Sequence, residues 1–344
     1  MNRDWQQNIA AWQLAEAGRW AEALESARAD PNLFTVLSQR SGKSVASGEP
    51  VIVGWQHYYR GEYASALDAF WEAIHTGHRG WLIAWAMLGI AKVASDSGWW
   101  KVSLEWCAAA WQMASLDEHI DLLAQIAGAR GEILLRAGLP ARAAAAFAED
   151  RALLGPGNRY HGRIRCYEAH AWARMGANGR RAAALAYRLA LHSAGEMSTA
   201  AYAAAGLALL SARNGEIGAV EGEYRSAPDG LPRFWVLISQ ARTTTDQDAR
   251  LVLLEQAAII LPHIYYAEHW WLAGWSRAMG GKVSPVVDLT SVFPQSIPQV
   301  AERNWTPVEF PLAGHEIGNA PWWDAVPQDG HPEAWWNLRD CFMP

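Results

Sequence analysis

Cysteines and long apolar runs are scarce in this sequence. Its 344 residues include three cysteines, Cys107, Cys166 and Cys341, and no two of them form a CxxC pair. This usage argues against a disulfide framework and suits a reducing compartment. The N-terminus lacks the apolar run of a secretory signal, and no segment reaches the ~20 apolar residues that span a bilayer. The sequence therefore predicts a soluble, cytoplasmic protein without a membrane span.

Charged residues are scarce as well, at 19% of the chain, and the net charge is −6. Binding to nucleic acid requires many Lys or Arg side chains to displace counterions from phosphates, so this balance argues against a nucleic-acid partner. Hydrophobic residues make up 51% of the chain. A core of useful size is therefore expected without help from metals or disulfides.

Motifs for catalysis, metals and cofactors are missing too. The segment Ser41-Gly-Lys-Ser44 copies the end of a phosphate-binding loop, but Leu37 stands where that loop requires glycine. No HExxH motif and no Cys/His set with the spacing of a zinc site is present. The acidic segment 324–333 contains metal-ligand residue types, although such Pro/Gly-rich segments are more often solvated turns. We predict no catalytic residue, no metal site and no cofactor.

Tryptophan, in contrast, is abundant, with 21 residues. Eleven lie at or before Trp111, and only Trp172 falls between there and Trp235. The middle of the chain is rich in Ala instead, as in ARAAAAFAEDRALL. Long Ala-rich segments with few Gly or Pro favour helix, because Ala loses no side-chain entropy there.

An internal repeat is the main organising pattern. Residues 53–74 predict a helix carrying Gly54, a turn at Gly61 and a second helix with one apolar stripe. Related segments follow around Gly89 and Gly131, and Gly274 occupies the same point in a later one. Glycine inside a helix costs ~1 kcal/mol relative to Ala. Its recurrence indicates that a neighbouring helix crosses too closely for a Cβ.

This pattern resembles the tetratricopeptide repeat family, whose 34-residue units carry Trp, Leu-Gly, Tyr, Ala, Phe, Ala and Pro at set places. Residues 47–80 match best, through Gly54, Gly61, Tyr63, Ala66, Phe70 and Ala73. Units at Trp85 and at 124–157 also match, and weaker units start near Asn2, Gly162, Ala200 and Leu231. The resemblance implies an all-α fold, an α-solenoid of helical hairpins over residues 1–282.

Two segments interrupt the repeat. Residues 36–50 are Ser/Gly-rich and predict a long loop. From residue 283 to 344 the chain holds nine of its 16 prolines. Because proline removes a backbone donor and restricts the residue before it, we expect an arm without long helices there. The arm also carries two tryptophan pairs, which we expect to pack against the solenoid of the same chain: Trp322, Trp323, Trp335 and Trp336.

The family resemblance implies that the first helix of each unit lines a concave surface that holds a peptide. The matching face carries aromatic and basic residues, the types that dominate recognition hot spots. These predicted partner-binding residues are Trp5, Trp12, Trp55, Tyr58, Tyr59, Arg163, His170, Arg174, Trp271 and Trp275. The competing interpretation is that these side chains fill space between consecutive hairpins.

Three functions remain compatible with these observations. The first is a non-catalytic scaffold that binds a protein or peptide partner in an aromatic-rich groove. The second is an enzyme or small-molecule binder whose site lies between the solenoid and the C-terminal arm. The third is a structural subunit of a larger assembly. We predict the first, because the repeat and the aromatic face support it directly.

Overall fold

The computed structural model describes most of the segment between residues 49 and 192 and parts of the remainder. The described residues are 10–11, 14–15, 19–29, 34, 37–38, 41, 49–60, 62–76, 80–96, 99–156, 158, 160–192, 199, 203–204, 206–207, 210, 231–261, 272–273, 275–277 and 279–283. Within helix 231–243, the side chains of six residues are not described: 231, 232, 235, 239, 242 and 243. Trp5, Trp12, Trp271 and all of the predicted arm 283–344 except Val283 lie outside the described residues.

The described elements are all helical. They are α1 (Trp20–Ala27), α2 (Pro50–Tyr59), α3 (Tyr63–Thr76), α4 (Gly80–Asp96), α5 (Trp100–Leu116), α6 (Ile120–Arg136), α7 (Pro140–Leu154), α8 (His161–Arg174), a 3₁₀ turn (Gly176–Asn178), α9 (Arg180–Leu191), α10 (Leu231–Thr243) and α11 (Gln247–Ile260). No strand occurs in the part of the chain that the structure describes. The predicted all-α class is confirmed for these residues.

The described helices belong to two compact units, named here for their positions in the sequence. The central unit contains α2 to α7, and the flanking unit contains α1 and α8 to α11. The predicted array over residues 1–282 is therefore divided between two units. That the array of hairpins continues from α7 into α8 stays a prediction.

Within the central unit, each helix packs on the next one along the chain. In addition, α2 packs on α4, and α4 packs on α6. The first helices of successive hairpins are thus neighbours. In the flanking unit, α8 pairs with α9, and α10 pairs with α11.

Local sequence explains where several helices begin and end. Pro50 and Pro140 stand at the first turns of α2 and α7, where a missing N–H costs nothing. The Asp246 carboxylate caps α11 by accepting from the Asp248 N–H at 3.0 Å. Gly138 makes the turn between α6 and α7 at φ 78°, a left-handed conformation that favours glycine.

The second helix of a hairpin buries one stripe with spacings of four and three residues. In α3 the stripe is Ala66, Phe70 and Ala73, and in α9 it is Ala183, Tyr187 and Ala190. In α7 the stripe ends on a carboxyl group, because its members are Ala143, Phe147 and Asp150. Such spacing places the three side chains on one side of a helix, facing the first helix of the hairpin.

The helical glycines accommodate rings from these stripes. A methyl group on Gly54 would overlap the Phe70 ring, and one on Gly89 would overlap the same ring from α4. On Gly131 a Cβ would lie 2.6 Å from Phe147 Cε1. The lack of room for a Cβ is as expected at these glycines, and the close neighbour is an aromatic side chain of a neighbouring helix, not its backbone.

The predicted loop at 36–50 differs from the structure at both ends. Leu37 and Ser38 are helical, and Leu37 is fully buried in a small core with Ala11, Ala15 and Leu24. At the other end, Pro50 begins α2. The Ser/Gly composition of the segment gave no sign that its two ends are helical. Burial of the single side chain of Leu37 is enough to anchor a short helical segment.

Candidate functional site

Five rings form a continuous ladder in the central unit. Tyr59 and Trp55 stack with centroids 5.8 Å apart, and Trp55 lies 5.8 Å from Trp85. Trp85 stacks on Trp81 at 6.5 Å, and Trp81 lies 5.6 Å from the ring of His119. The four interplanar angles are 29°, 31°, 30° and 31°. We call this set the ring ladder: Tyr59, Trp55, Trp85, Trp81 and His119.

The ring ladder arises from helical spacing and from hairpin packing. Trp55 and Tyr59 are four residues apart on α2, as are Trp81 and Trp85 on α4, so each pair shares one side of its helix. The packing of α2 on α4 joins the two pairs. His119 adds the last ring from the N-cap of α6, where its side chain accepts the Leu122 N–H at 3.3 Å. The ladder thus crosses three successive hairpins.

Members of the ring ladder differ in exposure. Trp55 is only 6% exposed and also packs edge-to-face on Phe70, 5.4 Å away. Tyr59, Trp81 and Trp85 are half-buried. The buried Trp55 therefore holds the ladder in place, while three other rings offer part of their surface to solvent. Rigid, half-exposed aromatic rings are well suited to recognition, because little side-chain entropy is lost when they bind.

Tyr58 connects the ring ladder to a buried polar network. Its ring packs edge-to-face on Trp55 at 5.4 Å, and its hydroxyl donates to Asp96 Oδ2 at 2.8 Å. Burial raises the pKa of Tyr58 well above its usual value, and the nearby Asp96 carboxylate raises it further. The hydroxyl therefore stays protonated and acts as a donor.

Asp96 is the centre of this network. Its Oδ1 accepts from Arg136 Nη1 at 2.6 Å, and its Oδ2 also accepts from the Tyr63 hydroxyl at 3.2 Å. Arg136 donates to Ser95 Oγ as well, at 2.7 Å. Burial lowers the pKa of Arg136, but Asp96 and then Glu132 more than offset this, so the pKa is raised. The network ties α2 and α3 to α4, and α4 to α6.

A half-exposed pair lies beside the network. Lys92 Nζ donates to Glu132 Oε2 at 2.5 Å, again joining α4 to α6. Arg130 on α6 donates to Glu149 on α7, and its guanidinium lies 5.4 Å from the centre of the Trp111 ring. These two cations are therefore already paired with carboxylates of the same unit.

The predicted partner-binding residues fall into separate groups. Trp55, Tyr58 and Tyr59 form one cluster in the central unit. Arg163, His170 and Arg174 lie on α8 of the flanking unit, and a half-buried Trp275 belongs to the same unit.

Burial separates these residues further. Trp55 and His170 are buried, and His170 Nδ1 lies 2.7 Å from the Tyr187 hydroxyl, so the contacts show a packing role for both. Tyr58, Tyr59, Arg163 and Arg174 are half-buried. A partner-binding role stays a prediction for every residue in the set.

Three members of the ring ladder were not among the predicted site residues: Trp81, Trp85 and His119. Trp81 and Trp85 carried a usable signal, because two tryptophans four residues apart on a helix predict a shared face. His119 carried none, because its position depends on the turn between α5 and α6.

Reactive groups in the described residues are few. Burial raises the pKa of the Cys107 thiol to about 12, although Arg130 and Lys92 act against this, so the thiol stays protonated at neutral pH. Cys166 is also buried, with its Sγ 3.7 Å from the Thr199 carbonyl oxygen. Among the described residues, no group of three His, Cys, Asp or Glu side chains is arranged to hold a metal ion.

Length and hydropathy of the described helices fall short of those of a membrane span. None of these helices is both long and apolar enough to cross a bilayer.

Comparisons with protein families, with curated proteins and with solved structures give no match for this chain.

Proposed function

We propose that this chain is a TPR-like α-solenoid that binds a peptide segment of a partner protein across the ring ladder. The observation that carries the proposal is the half-exposed row formed by Tyr59, Trp81 and Trp85 on two neighbouring first helices. In the family that the sequence resembles, first helices line the surface that receives the peptide. The role is that of a scaffold, and it requires no catalytic group. Two buried cysteines that form no disulfide, Cys107 and Cys166, support a cytoplasmic location.

Rigidity of the surface supports the same role. Trp55 fixes the ladder from below, and the Tyr58–Asp96–Arg136 network fixes the helices that carry it. A preorganised surface loses less entropy on binding than one whose side chains must be ordered. We infer that the network serves to hold the ring ladder ready for a partner.

The test is a selection from a random-peptide display library with the full chain as bait. Selected peptides are then titrated against wild type, Tyr59→Ala and Trp81→Ala. Loss of a hot-spot aromatic typically costs ~2 kcal/mol or more of binding free energy, or roughly 30-fold in affinity. Trp172→Ala is the matched control, since Trp172 is a half-buried tryptophan of the flanking unit. Circular dichroism and thermal melting confirm that each variant is folded.

The two outcomes of this test are distinct. Peptides whose affinity falls in the ladder variants and not in Trp172→Ala support the proposal. Selected peptides that bind all four proteins equally, or a selection with no enriched peptide, would overturn it.

A further inference from the structure

Carboxylates border one end of the ring ladder. The turn between α5 and α6 places Asp117 and Glu118 directly before His119, and Asp121 follows in the first turn of α6; all three are exposed. Asp117 also reaches the start of α4, because a Cβ on Gly80, the neighbour of Trp81, would lie 2.7 Å from its Oδ2. The Trp81 end of the ladder therefore carries three exposed carboxylates, while His78 and Arg79, which precede Gly80 in the sequence, lie outside the described residues.

These carboxylates have no cation to balance them among the described residues. No ion pair joins Asp117, Glu118 or Asp121 to a described Lys, Arg or His, and Lys92 and Arg130 are engaged with Glu132 and Glu149. Only Asp121 has an evident structural role, since a negative charge stabilises the N-terminal turn of a helix. Three like charges within five residues repel one another, and a bound cation would relieve that repulsion.

The same turn exposes apolar surface. Leu116, directly before Asp117, is 69% exposed, and Ile120, directly before Asp121, is 49% exposed. Exposed large apolar side chains that neighbour carboxylates in the sequence form the kind of mixed surface that is found at recognition sites. An occupant of this corner must therefore offer both apolar contact and positive charge.

We propose that the ring ladder takes a basic peptide, whose Lys or Arg side chain pairs with Asp117 and Asp121 at the Trp81 end of the ladder. This inference rests on the proposed function and specifies the chemistry of its ligand. Hydrogen bonds between such a cation and the carboxylates are charge-assisted, which makes them stronger than hydrogen bonds between neutral groups. The apolar stem of the same side chain covers Leu116 or Ile120. Charge complementarity with an acidic chain also favours a basic partner.

The test uses peptides selected from the random library, titrated against a variant that neutralises the corner: Asp117→Asn, Glu118→Gln and Asp121→Asn. The matched control is Glu72→Gln, Asp248→Asn and Glu255→Gln, which changes the net charge equally at exposed sites. Asp248, like Asp121, lies in the first turn of a helix. We expect enriched peptides to be rich in Lys and Arg. Their affinity should fall about tenfold in the corner variant, and much less in the control.

Salt gives a second readout. Because the corner is exposed, the wild-type affinity for these peptides should weaken as ionic strength rises, and the corner variant should respond less.

The failures of the two proposals are distinguishable. Enriched peptides that are neutral or acidic, and that still lose affinity in Trp81→Ala, would overturn the basic-peptide inference and leave the proposed function standing. Basic peptides that bind the corner variant and wild type equally would do the same. Peptides insensitive to both Tyr59→Ala and Trp81→Ala would overturn the proposed function and the inference together.

Discussion

Arg136 on α6 and Asp96 on α4 form an ion pair of 2.6 Å inside the central unit, where both side chains are almost fully buried. Their charges join two successive hairpins. Removing only one charge of such a pair leaves the other buried without compensation, which is far more costly than never burying either.

We therefore expect Asp96→Asn to lower the free energy of unfolding by ~3–5 kcal/mol. The measurement is urea unfolding followed by circular dichroism. Glu22→Gln is the control, because it breaks the exposed Arg19–Glu22 pair and should leave the free energy of unfolding almost unchanged. Equal losses in the two variants would show that burial of the Asp96 pair has no special energetic weight.

Contact between Gly54 and Phe70 leads to a second prediction. A Cβ at Gly54 overlaps the Phe70 ring, which is fully buried and has no room to withdraw. We expect Gly54→Ala to destabilise the protein by ~1–3 kcal/mol through overpacking, although Ala is the better helix former. Thermal or urea unfolding provides the measurement.

A double variant tests the physical cause of that loss. Phe70→Leu makes space at the ring, so Gly54→Ala should cost less in that background than in wild type. An additive pair of effects, or a Gly54→Ala protein as stable as wild type, would mean that the ring does not constrain this glycine.

The third prediction concerns Asp150, a carboxyl buried on α7. Burial raises its pKa to about 8, with further contributions from the negative charges of Glu132 and Glu149. The folded state therefore keeps a proton that the unfolded chain releases above pH ~4. More protons are bound in the folded state than in the unfolded one, so stability falls as pH rises from about 4 to 8.

Asp150→Asn should remove this pH dependence. The stability of the variant relative to wild type should rise by up to ~1.4 kcal/mol per pH unit within that window. Urea unfolding at several pH values measures the difference, with exposed Glu255→Gln as the control. Parallel curves for wild type and Asp150→Asn would contradict the prediction.

His170 on α8 leads to the opposite pH dependence in the flanking unit. Burial lowers its pKa to about 3, so the folded state holds it neutral while the unfolded chain protonates below pH ~6.5. The unfolded state then binds more protons, and stability is lost as pH falls from about 6.5 to 3. We expect His170→Asn to flatten this part of the curve. Exposed His192→Asn serves as the control, and parallel curves for wild type and His170→Asn in this range would refute the assignment.

The hairpins were predictable because their signals are local. Such a hairpin carries a glycine on its first helix, and on its second helix an aromatic residue follows a buried Ala by four positions. Both signals fall within the length of one repeat. In α2–α3 and α6–α7 the glycine precedes the aromatic by sixteen residues, as Gly54 precedes Phe70 and Gly131 precedes Phe147. The structure places each of these pairs in contact.

The hairpin α4–α5 shows why the site was only partly predictable. Alignment of Gly89 with Gly54 is natural from the sequence, but Gly89 faces Phe70 of the preceding hairpin. In α5 the buried Cys107 takes the place that Phe70 has in α3, and the residue sixteen positions before Cys107 is Ala91. The structural equivalent of Gly54 in α4 is therefore Ala91, two residues after Gly89. Because two residues rotate a helix by more than half a turn, the face carrying Trp81 and Trp85 was missed.

Long-range contacts were beyond the sequence altogether. Tyr58 and Asp96 are 38 residues apart, and Asp96 and Arg136 are 40 apart. Asp150 occupies the position that Ala73 holds in α3, and its carboxyl fits only because α6 has Gly128 opposite, where a Cβ would lie 2.5 Å from Oδ2. The periodicity of a single sequence does not reveal that a small residue on one helix makes room for a larger one on another.

The position of Phe70 between Gly54 and Gly89 has a consequence for the order of synthesis. A growing chain that has completed α2 and α3 can cover only part of this ring, because the second glycine that packs on it belongs to α4. The first hairpin of the central unit therefore leaves the ribosome with an unfinished aromatic pocket. Until α4 follows, that nascent hairpin exposes apolar surface to which chaperones and other chains can bind. A truncated chain that ends at Thr76 would keep this surface exposed.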